Sequence, residues 1–126
     1  MFSRRVPVTS RSRAVPGCRL RVVDSFGVSE VSHVLDVPRG ACPVSRNPID
    51  GTATITYKPV GASVEVVSLH AAMAWACGRN PGAPNSVEQL ATWLATETAT
   101  ATAATVSVRL DLLVRPHQRL AVVAVA

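Results

Sequence analysis

The sequence predicts a single α+β domain in which two pairs of strands flank two helices. Three observations carry this prediction. Apolar and polar residues alternate over residues 52–58 and again over Val106–Val114, as they do in strands with one buried face. Between these strands, residues 68–77 are helix formers without a breaker. Ser86, followed three residues later by Gln89, is a capping-box pattern that begins a second helix.

The remaining elements complete this order. Along the chain they are a strand (29–37), a loop (41–51), a turn (59–62), a short strand (63–67) and a final strand (119–125). Strand 52–58 is expected to form a hairpin with 63–67, and Val106–Val114 a second hairpin with 119–125. The second helix is expected to end near residue 100. The predicted order is β-β-α-α-β-β, an antiparallel sheet with both helices on one face.

The charge is concentrated at the N-terminus. The 126-residue chain has 13 basic and 8 acidic residues, a net charge of +5. Residues 1–21 hold six arginines and no acid, so the rest of the chain sums to −1. We therefore expect a flexible basic arm over residues 1–27 and a folded domain over residues 28–126. The arm either binds nucleic-acid phosphates or is a solvated tail, and the absence of aromatic residues between its arginines favours the tail.

Several classes of protein are disfavoured by composition. No run of 18 apolar residues is present, so no membrane span is expected, and no secretory signal is recognised. Cys18, Cys42 and Cys77 are odd in number and form no C-x-x-C pair, which argues against a disulfide framework or a zinc ribbon. Cys42 and Cys77 make no convincing zinc set with His33 and His70. We expect a cytoplasmic protein with free thiols and no metal.

Cys42 is the first candidate for chemistry. It precedes Pro43 in the predicted loop, just before a strand. A free thiol with a pKa of about 8.5 is mostly protonated at neutral pH, so a nucleophilic role needs a nearby cation or base. Arg46 is the nearest cation in sequence, and Asp50 can move protons. The alternative is that Cys42 is a small buried hydrophobic residue.

A longer pattern surrounds this cysteine. It consists of Cys42-Pro43-Val44-Ser45-Arg46-Asn47-Pro48, Ala53-Thr54-Ile55-Thr56-Tyr57 and Val64-Glu65-Val66-Val67-Ser68-Leu69. The pattern resembles the 7-cyano-7-deazaguanine reductases, the nitrile reductases of queuosine biosynthesis, and the coarse likeness covers residues 30–126. That family has the tunnelling fold, β-β-α-α-β-β, whose subunits join by their edges into oligomeric barrels. The resemblance therefore implies a homo-oligomer.

The resemblance also implies roles for individual residues. Cys42 matches the cysteine that adds to the substrate nitrile and forms a covalent thioimide. Asp50 is the counterpart of a carboxylate that moves protons near it. Glu88 matches a glutamate that holds the edge of the purine-like ring, a task that suits a carboxylate because it can accept two N–H bonds; the alternative for Glu88 is a favourable charge in a helix first turn. Glu65 and Ser68 match residues near the substrate.

Departures from the family pattern bear on the cofactor. The family aspartate directly follows the second proline, where this chain has Ile49, so Asp50 would need a slip or bulge to take its place. Val87 stands where the family has histidine. The two lysines of the family's cofactor motif are absent, and His70 is a weak substitute for holding NADPH phosphates. NADPH is therefore disfavoured as a cofactor.

The chemistry possible at Cys42 and the family resemblance together indicate the expected function. It is an enzyme of 7-deazaguanine metabolism that acts on the nitrile of 7-cyano-7-deazaguanine, either free or carried in nucleic acid. The acceptor is hydride, as in the reductases, or ammonia, as in the related archaeosine amidinotransferase-like group. The alternatives are a tunnelling-fold protein that binds a purine or pterin, cyclohydrolase-like or non-catalytic, and a nucleic-acid-binding module that depends on the arm.

Overall fold

The computed structural model describes residues 20–38, 49–114 and 118–126. Within these residues the elements, in chain order, are β1 (Val22–Asp24), β2 (Val31–Val37), β3 (Ile49–Tyr57), β4 (Ala62–Val64), α1 (Val66–Ala76), α2 (Val87–Thr102), β5 (Val106–Val114) and β6 (Gln118–Val125). The predicted α+β class is confirmed, with two helices and antiparallel sheets. β5 has the predicted bounds, and α2 begins after the predicted cap, where Ser86 Oγ accepts the N–H of Gln89 at 3.1 Å.

A four-stranded antiparallel sheet, in the order β2-β3-β5-β6, forms the centre of the molecule. The pairing of β3 with β5 runs without interruption from Ile49↔Val114 to Tyr57↔Val106. Because both helices lie between β3 and β5 in sequence, this central pairing joins the two halves of the chain.

One face of this sheet is buried under the helices. Ala53 and Ile55 of β3 and Val108 and Leu110 of β5 have no exposed surface. These are the alternating apolar positions of the two strands, as the sequence pattern predicts. α2 packs over β5 and β6. The two helices contact each other through Trp75 and Trp93, whose ring centroids are 5.7 Å apart.

The predicted hairpin between residues 52–58 and 63–67 is wrong. β4 is only three residues long and pairs with β1, in the register Val22↔Val64. The physical reason is that β3 already has β2 on one side and β5 on the other, so no free edge is left for β4. Val66 and Val67, predicted as strand, begin α1 instead.

Residues 20–27, predicted to belong to the flexible arm, are part of the fold. Leu20 is 4% exposed and belongs to the hydrophobic core. The main-chain oxygen of Arg21 accepts the N–H of Glu65 at 2.8 Å, which continues the pairing of β1 and β4. Residues 1–19 of the predicted arm lie outside the described residues.

Among the described residues, no helix or strand covers the opposite face of the sheet, which we call the open face. It presents the polar alternate residues of β3 and β5 together with exposed valines on the outer strands: Val34 is 67% exposed, Val123 is 55% exposed and Val125 is 67% exposed. In the described part of the chain, no strand pairs with the outer edge of β2 or of β6. The described part of the chain thus leaves one sheet face uncovered and the outer edges of β2 and β6 without a partner strand.

Gly51 lets β3 and β5 approach closely at one end of this sheet. A Cβ built on Gly51 would lie 2.2 Å from the main-chain oxygen of Asp111 and 2.7 Å from Cδ2 of Leu112. The main-chain oxygen of Asp111 cannot move aside without breaking the pairing of β3 with β5, so only glycine fits at position 51.

We predict that Gly51→Ala destabilises the protein by about 2 kcal/mol or more, because the strands must separate to admit the methyl group. Urea unfolding followed by circular dichroism measures the loss. Thr54→Ala, on the open face of the same strand, is the control and should cost clearly less. Equal stability of Gly51→Ala and the wild type would contradict the close approach.

Candidate functional site

The candidate nucleophile, Cys42, lies outside the described residues. The segment that carries it, residues 39–48, ends directly at the first residue of β3. Cys42 precedes Asp50 by eight residues in the sequence. Its position relative to Asp50 therefore stays an expectation from sequence.

Asp50 lies in a strand and not in the predicted loop. It is the second residue of β3 and pairs with Leu113. The register of β3 against β5 contains no bulge, so the slip expected for Asp50 is absent from the described strand. Because Ala53 and Ile55 face the helices, the alternation of the strand directs Asp50 to the open face. The strand starts earlier than predicted because Gly51, read as a loop residue, is required for the close pairing.

A depression of 520 Å³ adjoins Asp50 on the open face. Its charged lining consists of Asp50, Arg109, Asp111 and Arg119. Arg109 Nε donates to both carboxylate oxygens of Asp111, at 2.9 and 3.0 Å. This pairing raises the pKa of Arg109, chiefly through the hydrogen bond.

The sequence places Arg119 beside the last turn, where it either contacts phosphate or solubilises the edge, but sequence reasoning did not bring it together with Arg109 and Asp111 as one site. Arg109 and Asp111 occupy alternate positions on the polar side of a strand that was correctly predicted. Two charges two residues apart on one sheet face are a usable signal. The sequence alone does not show that Arg119 lies near them, because this depends on the register of β6 against β5.

Glu65 and Ser68 are part of the start of α1. Glu65 is the N-cap: Oε2 accepts from Val67 N–H at 2.8 Å and Oε1 from Ser68 N–H at 3.0 Å. Arg21 Nη2 donates to the same Oε1 at 3.1 Å. The Val67 hydrogen bond is the main cause of a lowered pKa of Glu65, followed by Ser68 and Arg21, with desolvation acting in the opposite direction.

Ser68 is buried, and its hydroxyl has partners on both sides. Its Oγ donates to the main-chain oxygen of Glu65 at 2.8 Å and accepts from Arg21 N–H at 2.9 Å. Both residues therefore have structural partners that account for their positions. A role toward substrate stays a prediction for each of them.

Asp50 and Glu65 lie at opposite ends of β3 in one protomer. Glu65 follows Val64, whose N–H donates to the Tyr57 hydroxyl at the last residue of the strand. Tyr57 lies seven positions after Asp50 along the strand, which corresponds to about 23 Å. One small ligand cannot contact both carboxylates within a single chain.

Glu88 is exposed in the first turn of α2. It lies in the helical layer, across the sheet from the open face that carries Asp50. Glu88 lines a shallow groove of 430 Å³ that also includes Trp93 and Glu97. Burial raises the pKa of Glu97. His70 is exposed on α1.

Tyr57 carries a buried hydrogen-bond pair that the sequence did not single out. Its hydroxyl accepts Val64 N–H at 2.8 Å and lies 3.0 Å from His33 Nε2 on β2. Desolvation lowers the pKa of His33, which favours the neutral ring. Because the Tyr57 oxygen already accepts from Val64, its own proton is available to donate to Nε2. The pair links an outer strand to the segment that begins α1.

We predict that Glu65→Gln weakens the dependence of stability on acid pH. A carboxyl whose pKa is lowered on folding contributes stability above its unfolded value of 4.5 and loses it as the pH falls through the folded value. The wild type should therefore lose more stability than Glu65→Gln between pH 5 and about pH 3. Thermal unfolding at a series of pH values measures this. Glu88→Gln, the matched control in α2, should follow the wild type; superimposable curves for wild type and Glu65→Gln would contradict the capping role.

Comparison with known proteins adds no assignment. A scan against protein-family models finds no match, and a search of curated proteins finds none. Among residues 20–38, 49–114 and 118–126, no three histidine, cysteine or carboxylate side chains gather as a metal site. Neither helix described there has the length and hydropathy needed to cross a membrane.

Proposed function

We propose that the protein is a tunnelling-fold enzyme that acts on the nitrile of 7-cyano-7-deazaguanine through a thioimide at Cys42. The observation that carries the proposal is the sheet order β2-β3-β5-β6 with two helices inserted between its middle strands. This order is compatible with the β-β-α-α-β-β fold that the resemblance around Cys42 implies, with β1 and β4 as a separate pair outside it. The proposal therefore joins a sequence pattern to an independently observed topology.

The position of Asp50 supports its role as the proton donor. The segment with Cys42 leads directly into β3, and Asp50 is the second residue of that strand. Its carboxylate adjoins a 520 Å³ depression, a volume within the range of small-molecule sites. A ligand held there would lie close to the end of the segment that carries Cys42.

The proposed first step conserves all atoms of both reactants. The Asp50 carboxylate takes the proton of the Cys42 thiol, and the resulting thiolate attacks the nitrile carbon and forms a C–S bond. The electron pair of the broken C≡N π bond moves to nitrogen, which takes a proton from the Asp50 carboxyl group. The product is a thioimide whose mass is the sum of protein and ligand.

The second step releases Cys42. With ammonia, the amine adds to the thioimide carbon and the C–S bond breaks, which gives an amidine and restores the thiol. NADPH, if it were bound, would supply the two hydrides that reduction to an aminomethyl group needs, with two protons from the site or solvent. The missing lysines favour ammonia, since His70 is the one basic residue left in the motif and it is exposed on α1.

The proposed assembly is a homo-oligomeric barrel in which β6 of one subunit pairs with β2 of the next. Such pairing gives hydrogen-bond partners to the main-chain groups at the outer edges of β2 and β6 and keeps neighbouring strands antiparallel. It also brings the exposed valines of β2 and β6 together on one face. Residues from a neighbouring subunit can then complete a site that Asp50 and Glu88 do not form within one chain.

A non-catalytic barrel that binds a purine or pterin is the second candidate. The observation that favours it is the structural use of both residues: Glu65 caps α1, and the Ser68 hydroxyl bonds the main chain of Glu65 and of Arg21. A binding protein needs no nucleophile, so it would not require Cys42.

Incubation of the wild type with 7-cyano-7-deazaguanine should give an intact-protein mass increased by the full mass of the ligand. Cys42→Ala should give no increase. Cys77→Ala is the matched control and should keep the adduct, because burial raises the pKa of Cys77 to about 11 and leaves its thiol protonated. An unmodified wild type would rule out addition of the free nitrile base and favour the non-catalytic barrel.

Val34→Lys and Val123→Lys should each convert the oligomer to smaller species, because a charged side chain on a strand edge opposes pairing. Size-exclusion chromatography with light scattering measures the mass. Val67→Lys is the control, since Val67 is 64% exposed but lies on α1. A monomeric wild type, or variants with wild-type mass, would contradict edge pairing.

A further inference from the structure

We infer that the N-terminal segment, residues 1–19, docks along the outer face of α2 of the same chain, with Arg11 and Arg13 at the carboxylate of Glu97. The proposed function does not use this segment, so the docking is independent of the nitrile chemistry. The groove that receives the segment is acidic, has a mainly apolar wall and lies within reach of the point where the segment enters the fold.

The groove lies on the solvent side of α2. Its volume is 430 Å³, and its lining consists of Glu88, Gln89, Thr92, Trp93, Thr96 and Glu97. These side chains form two adjacent rows, because residues four apart on a helix lie on the same face. Two of the six are acidic and none is basic, so the groove carries a negative charge.

Glu97 is a half-buried carboxylate without a cation. Burial raises its pKa, since the charged form loses part of its hydration. Within residues 20–38, 49–114 and 118–126, neither Glu97 nor Glu88 forms a hydrogen bond or an ion pair through its carboxylate. An opposite charge at Glu97 therefore gains more than it would beside a fully exposed carboxylate.

Trp93 makes the groove suitable for arginine in particular. It lies one helical turn before Glu97, and its ring contacts that of Trp75, with the ring centroids 5.7 Å apart. A guanidinium group can stack on an indole ring while its N–H groups pair with a carboxylate. The groove thus combines the two features that an arginine side chain recognises.

The N-terminal segment has the complementary composition. Its 19 residues include five arginines and no acidic residue. Arg11 and Arg13 are two positions apart, so in an extended chain both side chains point to the same side. The apolar residues 14–16 follow them directly and can cover the wall of the groove. The segment therefore offers charges for Glu97 and apolar surface for the ring of Trp93.

The segment is long enough to reach the groove. It enters the fold at the start of α1, where Arg21 N–H donates to Ser68 Oγ at 2.9 Å. Trp75 lies seven positions after Ser68 on this helix, about 10 Å further, and its ring contacts Trp93 in the groove. Arg13 precedes residue 20 by seven positions, which span up to about 23 Å in an extended chain.

The test uses the indole N–H groups of the two tryptophans, which give separate signals in a nitrogen-15 NMR spectrum of the full chain. The signal of Trp93 is assigned by its loss in Trp93→Phe. The double substitution Arg11→Gln/Arg13→Gln should shift this signal, because the segment leaves the ring. In a Glu97→Gln background the same double substitution should cause no further shift, since docking is already lost. Added salt should move the wild-type signal in the same direction.

Limited trypsin digestion measures the segment itself. Cleavage after Arg13 should be about tenfold faster in Glu97→Gln than in the wild type, because only the undocked segment is cut. Glu30→Gln, which removes an exposed carboxylate outside the groove, is the matched control and should leave the cleavage rate and the Trp93 signal unchanged. Arg79→Gln, an exposed arginine outside the segment, is the corresponding control for the arginine substitutions.

The occupant of the groove is tested by dilution. Docking within one chain should give a Trp93 signal that does not depend on protein concentration. A signal that changes on dilution would assign the groove to the segment of a second copy and overturn docking within the chain. A Trp93 signal that the arginine substitutions leave in place would overturn the inference outright, and weaker binding of a short single-stranded RNA by the same variant would then assign these arginines to nucleic acid.

Discussion

The hydroxyl group of Tyr57 connects the central sheet to the segments around it. It accepts the N–H of Val64, so the end of β4 stays over the end of β3. Glu65 comes next in the chain and caps α1, and through Arg21 it also ties the residues that precede β1. His33 on the outer strand β2 contacts the same hydroxyl. Without this oxygen, a buried main-chain N–H would lose its acceptor and the start of α1 would lose its attachment to the sheet.

The sheet divides the candidate residues between two sides and two ends. Asp50, Arg109 and Arg119 lie on the open face of the sheet, whereas Glu88 lies in the helical layer. Glu65 lies at the far end of β3 from Asp50. A single chain therefore provides separate parts of the proposed site, and the free edges of β2 and β6 are where a second chain can add the remainder. The proposed chemistry therefore depends on the proposed assembly.

Much of the fold follows from local pattern. The alternation in β5 predicts its bounds, and the Ser86 cap predicts the start of α2, because both signals depend on neighbouring residues alone. The pairing of β4 was not predictable in the same way, since it depends on β2 and β5 having filled both sides of β3. The same holds for the site: Arg109 and Asp111 are visible as alternate charges, but the distance from Arg119 to either depends on long-range register. Ser68 was predicted to bind substrate because it matches the family pattern, and that pattern does not show that its hydroxyl bonds the main chain of Glu65 and Arg21.

The order of the sheet also determines how the chain folds. Within this sheet β2 pairs with β3, and β5 pairs with β6. Each of these outer pairings joins two strands that follow one another along the chain. The pairing of β3 with β5 is different, because both helices must be enclosed before it forms. Closing this long segment costs more chain entropy than either hairpin, and contacts of that kind limit folding rates. Topology therefore predicts that the slow step of folding is the pairing of the two halves of the chain where Gly51 lies against Asp111, and that a chain released before β5 is made cannot complete its core.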